Sequence, residues 1–216
     1  MISTFLLLVS VLSAAQAGEY PELRPVDEAS QQADFFTFRA HLQAAIARRD
    51  ATAVLSIVSD EIRNTLGPGD DGIDGFRRLW RPESPDSELW QTLGSTLALG
   101  GTFEGHDMFV APYIFSRWPG PFSAFEHVAI VGARVRVRAR PDPNSDTLAV
   151  LSFAVVPLAR DTRLTADEER QWTSVRLRDG RVGHVASRYA RSAANYRAVF
   201  SRVGDGWQMV SFIAGD

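Results

Sequence analysis

Four histidines, a few clustered carboxylates and twenty-three arginines are the residues of this chain whose types suit chemistry. His41, His106, His127 and His184 lie far apart, and no HxH or HExxH spacing sets two imidazoles on one face. The sequence therefore predicts no metal site. His106 stands in EGHD between Glu104 and Asp107, neighbours that would orient an imidazole as a base. A Gly- and Asp-rich turn accounts for the same four residues more simply. Asp70-Asp71-Gly72-Ile73-Asp74 has the acid content of a calcium loop but lacks the alternating oxygen ligands and distal Glu of an EF-hand. Asp71 or Asp74 capping a helix is the simpler account. Glu83, Asp86 and Glu88 have the types of a glycosidase acid–base pair, but such a pair needs a set separation across a cleft. Acids at a helix start, where the helix dipole favours negative charge, explain them with less. No GxSxG, SxxK or phosphate-binding glycine loop occurs. The chain has no Cys and no Lys, which removes thiol nucleophiles, Cys-bound zinc, redox switching and Schiff-base chemistry. No catalytic residue, metal ligand or cofactor is expected.

Binding chemistry remains. Arg134, Arg136, Arg138 and Arg140 fall at every second position, so on a strand they share one face, opposite Val135, Val137 and Ala139. A solvated face is the plain reading and an anion-binding stripe the sharper one. The formal net charge of −3 argues against general affinity for nucleic acid or anionic membranes. Trp80, Trp90, Phe103, Phe109, Tyr113, Phe115 and Trp118 suit an apolar core; alternatively Tyr113, Trp118 and Phe122 line a groove at a domain junction, where pockets often form.

The elements that would position these residues fall into five stretches. Phe5 to Leu12 is an apolar run followed by Ala15 and Ala17 in small-x-small spacing, which reads as a signal peptide over residues 1–17 cleaved after Ala17. The run is shorter than the roughly 20 residues of a membrane-spanning helix, so no permanent anchor is expected. Residues 18–31 mix prolines with charges and read as an exposed lead-in. Residues 32–121 read as a helical domain. An amphipathic helix runs from Gln32 to Arg49, and Asp50 caps a second that carries Val54, Leu55, Val58 and Ile62. Ile73, Phe76, Leu79 and Trp80 mark a third helix; Ser87 caps a fourth, which ends at Gly100-Gly101. Met108 to Phe115 suits a buried strand, although Pro112 points to an edge or to an extended packing segment. In residues 193–216, two alternating segments around Gly204-Asp205-Gly206 predict a β-hairpin, whose aromatic content suggests that it packs back on the helical domain.

Residues 126–192 hold the strongest pattern. VGARVRVRARPDPNSDTLAVLS (Val131 to Ser152) gives alternating strands around a proline-rich turn. WTSVRLRDGRVGHVASRYARS (Trp172 to Ser192) gives a Trp-led strand, a tight Asp179-Gly180 hairpin and a final strand. This order resembles the bacterial SH3-like domain. The resemblance implies a closed five-stranded barrel that binds peptidoglycan peptides, wall components or partner proteins through loops and exposed aromatics. His184 stands where that family usually has an aromatic. The helical start and closing hairpin also resemble the cone-shaped fold of the nuclear-transport-factor-2-like superfamily, which has more strands before this point than the sequence suggests.

The chain is thus expected to be α+β, with a helical domain completed by the C-terminal hairpin and a small SH3-like barrel. The expected function is non-catalytic binding of peptidoglycan or an envelope protein by a periplasmic or secreted protein. Candidate binding residues are Tyr113, Trp118, Phe122, Arg136, Arg138, Trp172, His184 and Tyr189. The alternative is a small-ligand carrier or enzyme with an aromatic pocket in the helical domain.

Overall fold

The computed structural model describes residues 20–67 and 69–215. The expected signal peptide lies outside the described residues, as do Gly18, Glu19, Pro68 and Asp216. In chain order the elements are α1 (Ala33–Ala47), α2 (Ala51–Leu55), β1 (Val58–Arg63), α3 (Gly72–Trp80), α4 (Leu89–Leu97), β2 (Thr102–Glu104), β3 (Met108–Ala111) and α5 (Tyr113–Ser116). There follow β4 (His127–Ile130), β5 (Val135–Arg138), β6 (Thr147–Leu151), β7 (Val155–Pro157), α6 (Ala166–Gln171), β8 (Trp172–Arg176), β9 (Val182–Ala186), β10 (Ala190–Arg191), β11 (Arg197–Val203) and β12 (Gly206–Ile213). The architecture is mixed α+β, with three sheets.

The first sheet has the order β1-β12-β11-β3-β2, with β1 parallel to β12 and the other pairs antiparallel. Helix α1 lays Phe35, Leu42, Ala45 and Ile46 on it. Phe35 is fully buried, its ring 4.3 Å from that of Phe109 and 4.8 Å from that of Trp207. Tilted and edge-on rings at these separations add to the burial of their area. The hairpin β11–β12 supplies Phe200, Trp207, Met209 and Phe212 to this core.

Two expectations about these elements need correction. Asp50 does cap α2, accepting from the Ala53 N–H at 3.0 Å, but the helix ends at Leu55, and Val58 and Ile62 lie on β1. A spacing of four residues keeps one face in a helix and in a strand alike, and β-branched side chains favour the strand. Strand β3 is not an edge, because it lies between β11 and β2. Pro112 comes just after the strand and precedes α5, so no ladder hydrogen bond is lost to it.

Residues 126–192 do not form the expected closed barrel. They make a three-stranded sheet, β10-β4-β7, and a four-stranded sheet, β6-β5-β9-β8, and neither closes on itself. The chain leaves one sheet for the other at Arg134 and at Phe153, both with left-handed backbone (φ 54° and 49°). These bends are tied together, since Phe153 N–H donates to Gly132 O at 3.2 Å and Arg134 N–H to Ser152 Oγ at 2.8 Å. The sheets share a core of Val128, Ile130, Val135, Val137, Leu151, Val156, Val175 and Val185, and a single bridge, Leu158 to Val175, joins their ends. Gly183 is required where β9 crosses β5: a Cβ there would stand 2.4 Å from Val137 Cγ1.

A third apolar cluster, with Leu23, Tyr113, Ile114, Ala129 and Val155, lies between the two units. Residues 20–31, expected as an exposed lead-in, are instead anchored by buried Leu23 and Ala29. Leu23 N–H donates to Phe153 O, Val155 N–H to Pro21 O and Glu28 N–H to Gly101 O. Asp27 of this segment takes both terminal nitrogens of buried Arg39, at 2.7 and 2.8 Å.

Candidate functional site

The outward face of β5 carries Arg136 and Arg138, while Val135 and Val137 face the core. Around that face runs a groove of about 420 Å³. Arg134 enters it from the left-handed bend before β5, and Arg188 and Tyr189 from the short 3-10 turn Ser187–Tyr189. Trp172 at the start of β8, Val150 of β6 and Pro143 of the β5–β6 loop complete the wall. Four of the eight candidate residues, Arg136, Arg138, Trp172 and Tyr189, thus come together.

The groove is cationic. No Asp or Glu lines it, and among the described residues none of its four arginines forms an ion pair. Arg138 donates to Ser145 O at 2.8 Å and to Thr147 Oγ1 at 3.2 Å, and Arg188 lies 5.0 Å from the Tyr189 ring centre. Elsewhere arginines meet carboxylates, as in Arg117–Glu28, Arg176–Asp161 and Arg202–Asp34. The expected row of four arginines is shortened, because β5 ends at Arg138 and Arg140 does not reach the groove.

His184, a candidate binding residue, is buried and does not line the groove. It lies opposite Ser174 on β8 and Arg138 on β5, and its Nδ1 is 3.1 Å from Ser174 Oγ. Burial pushes its pKa below the usual value, against the smaller pull of the Glu168 carboxylate on α6. A hydroxyl touching an imidazole has the reach of a nucleophile–base pair. Both side chains are buried, however, and among the described residues nothing hydrogen-bonds Nε2 to orient the ring. The pair is a cross-strand polar contact.

Of the two readings of Tyr113, Trp118 and Phe122, the apolar packing holds and the alternative junction groove does not. Tyr113 is 1% exposed, its hydroxyl has no partner among the described residues, and burial raises its pKa to about 12. Trp118 and Phe122 pack beside it, with Trp118 Nε1 donating to Phe122 O at 2.7 Å. Tyr113 alone of the three touches the shallow cavity of about 320 Å³ beside Val26, Leu99 and Val131.

The other polar candidates are local. His106 sits in the exposed turn between β2 and β3, its carbonyl accepting from Gln32 Nε2. Asp71 precedes α3 but does not cap it: its carboxylate accepts from the Asn64 and Thr65 N–H groups, which hold its pKa below the usual range. Glu83 pairs with Arg77. Among the described residues no three His, Asp or Glu side chains gather as metal ligands would.

Arg134, a member of the expected arginine row, belongs to the groove, and so does Arg188, which the sequence did not single out. Arg188 follows β9 directly in SRY, a signal visible only once that strand is folded beside β5 and β8. Comparison with protein-family models, curated proteins and solved structures gives no match.

Proposed function

We propose that this is an exported, non-catalytic binding protein of the cell envelope, in which residues 126–192 act as an SH3-like module for peptidoglycan or an envelope protein. The observation that carries the reading is the groove that gathers Arg136, Arg138, Trp172 and Tyr189 with two further arginines. Such a site offers charge and flat apolar surface, and no Ser, Thr, His, Asp or Glu lines it. Export rests on the apolar run and the small residues of positions 5–17. Retention on purified peptidoglycan sacculi, or capture of an envelope protein, tests the reading; Trp172→Ala should abolish it while leaving the fold intact. Retention of neither, or an unchanged Trp172→Ala variant, would overturn it.

One observation favours the alternative of a small-ligand carrier. Trp80, Tyr196, Arg81, Asp86 and Glu88 line a pocket of about 190 Å³ on the helical unit, and the Trp80 indole N–H is buried with no partner among the described residues. A ligand-dependent rise in melting temperature across a metabolite panel, lost in Trp80→Phe, would support that use, since a ligand of the native state stabilises by mass action.

A further inference from the structure

Resting on the binding reading above, we propose that the groove takes an extended peptide carrying carboxylates on alternate residues. Arg136 and Arg138 are successive outward positions of one strand, so their Cα atoms stand about 6.6 Å apart. A ligand in extended conformation repeats its own side chains at the same interval. Carboxylates two residues apart therefore meet the two guanidinium groups in register. Arg134 extends the row beyond the strand, and Arg188 supplies a fourth cation from the 3-10 turn.

The absence of a carboxylate partner for these arginines among the described residues points the same way. Four cations converge in one groove with no carboxylate in its lining, in a chain whose formal net charge is −3. Their mutual repulsion is relieved by an anionic occupant, and the acidic remainder of the chain disfavours indiscriminate binding of polyanions. Guanidinium groups match carboxylates with two parallel hydrogen bonds, as Arg39 and Asp27 do within this molecule. Trp172 and Tyr189 add a demand that a bare anion does not meet, because their rings need apolar or planar groups to pack against. A peptide supplies both, its backbone and small side chains lying on the rings while its carboxylates reach the arginines.

Two sources share this chemistry: the carboxylate-rich stem peptides of the wall, and acidic segments of envelope proteins. The test is fluorescence anisotropy on the purified protein with a labelled Glu-Ala-Glu-Ala-Glu peptide, its Gln counterpart, a wall stem peptide and tripolyphosphate. The Glu peptide should bind, with affinity falling as salt is raised. The Arg136→Gln and Arg138→Gln proteins should each bind about tenfold more weakly, the loss expected of one charge-assisted hydrogen bond, and the Gln peptide, which loses both pairings, about a hundredfold more weakly. Arg138→Lys should keep part of the affinity, which separates loss of charge from disturbance of the loop that Arg138 holds through Ser145. Arg77→Gln, on α3 of the other unit, should bind as the parent does. Tighter binding of the stem peptide than of the Glu peptide assigns the wall as source, and the reverse order assigns a protein.

Equal binding of the Gln and Glu peptides, tripolyphosphate binding as tightly as the Glu peptide, or unaltered affinity in both arginine variants would overturn the proposal. Should sacculi still retain the Arg136→Gln and Arg138→Gln proteins but not Trp172→Ala, the binding reading stands and the carboxylate assignment alone fails.

Discussion

His184 gives the molecule a proton-linked stability that its neighbours make specific. Its imidazole is buried between Ser174 and the strand carrying Arg138, with Glu168 as the nearby opposing charge. The folded pKa lies below the ordinary value of 6.5, so the unfolded chain takes up the proton first as pH falls. The stability linked to this group is therefore complete above pH 6.5 and is lost as pH drops from there through the folded value. Asp34, Asp71, Asp161, Asp179 and Glu168 also have lowered pKa values, but theirs start from the carboxylate range and act in a more acidic window. Melting temperature against pH should fall between neutrality and mild acid in the parent and stay flat there in His184→Gln; parallel curves would exclude this role. Arg134 carries a different cost. Its left-handed φ of 54° is one that a glycine adopts without a Cβ clash, at a saving of about 1–2 kcal/mol that glycine's extra unfolded-state entropy partly cancels. Arg134→Gly should accordingly be neutral or up to about 1 kcal/mol more stable in urea unfolding, yet bind the acidic peptide less well. At this scale the sequence was legible where alternation alone decides: Arg136 and Arg138 point outward between core valines. The core reading of Tyr113 was legible too, but the burial of His184 was not, because it depends on what folds over it.

Among the elements, the strand crossing at Gly183 decides how the groove is built. The close approach of β9 to β5 leaves no room for a Cβ, which would sit 2.4 Å from Val137 Cγ1 and 3.2 Å from Arg138 O. Val137 is fully buried, so it cannot swing clear. Gly183→Ala should cost about 1–3 kcal/mol, as overpacking of a tight core does, and shift β5 with its two arginines. Urea unfolding checks the first effect and peptide affinity the second; an unchanged midpoint would mean that the strands separate freely. The Asp179-Gly180 turn between β8 and β9 was readable from two residues, because Gly180 supplies the positive φ of 84° that such a turn needs. Strand β1 was not. Val58 and Ile62 satisfy helical and extended periodicity equally, and what settles them is the parallel pairing with β12, some 150 residues later in the chain. The division of residues 126–192 into two sheets was equally hidden, since it turns on left-handed backbone at Arg134 and Phe153, residue types that do not announce it.

At the scale of the whole molecule, the chain enters the helical unit, leaves it after α5, builds the β-rich unit, and returns with β11 to pair with β3. The β-rich unit is therefore held at both ends by the sheet it interrupts. Between the units lies the layer of Leu23, Tyr113, Ile114, Ala129 and Val155, while residues 20–31 run along both and hydrogen-bond to each. Neither unit buries that layer without the other, so their stabilities are coupled through it. Ile114 is the cleanest probe: it is fully buried, and it touches neither the groove nor the Trp80 pocket. Ile114→Ala should lower stability by about 2–4 kcal/mol, the range for an aliphatic side chain removed from a packed interior. If the units unfold as one, tryptophan fluorescence and acidic-peptide binding will be lost at one urea concentration in the parent and shift together in the variant. Peptide binding lost well before the fluorescence change would show that the β-rich unit opens first, and that the layer glues two separately stable bodies without coupling them.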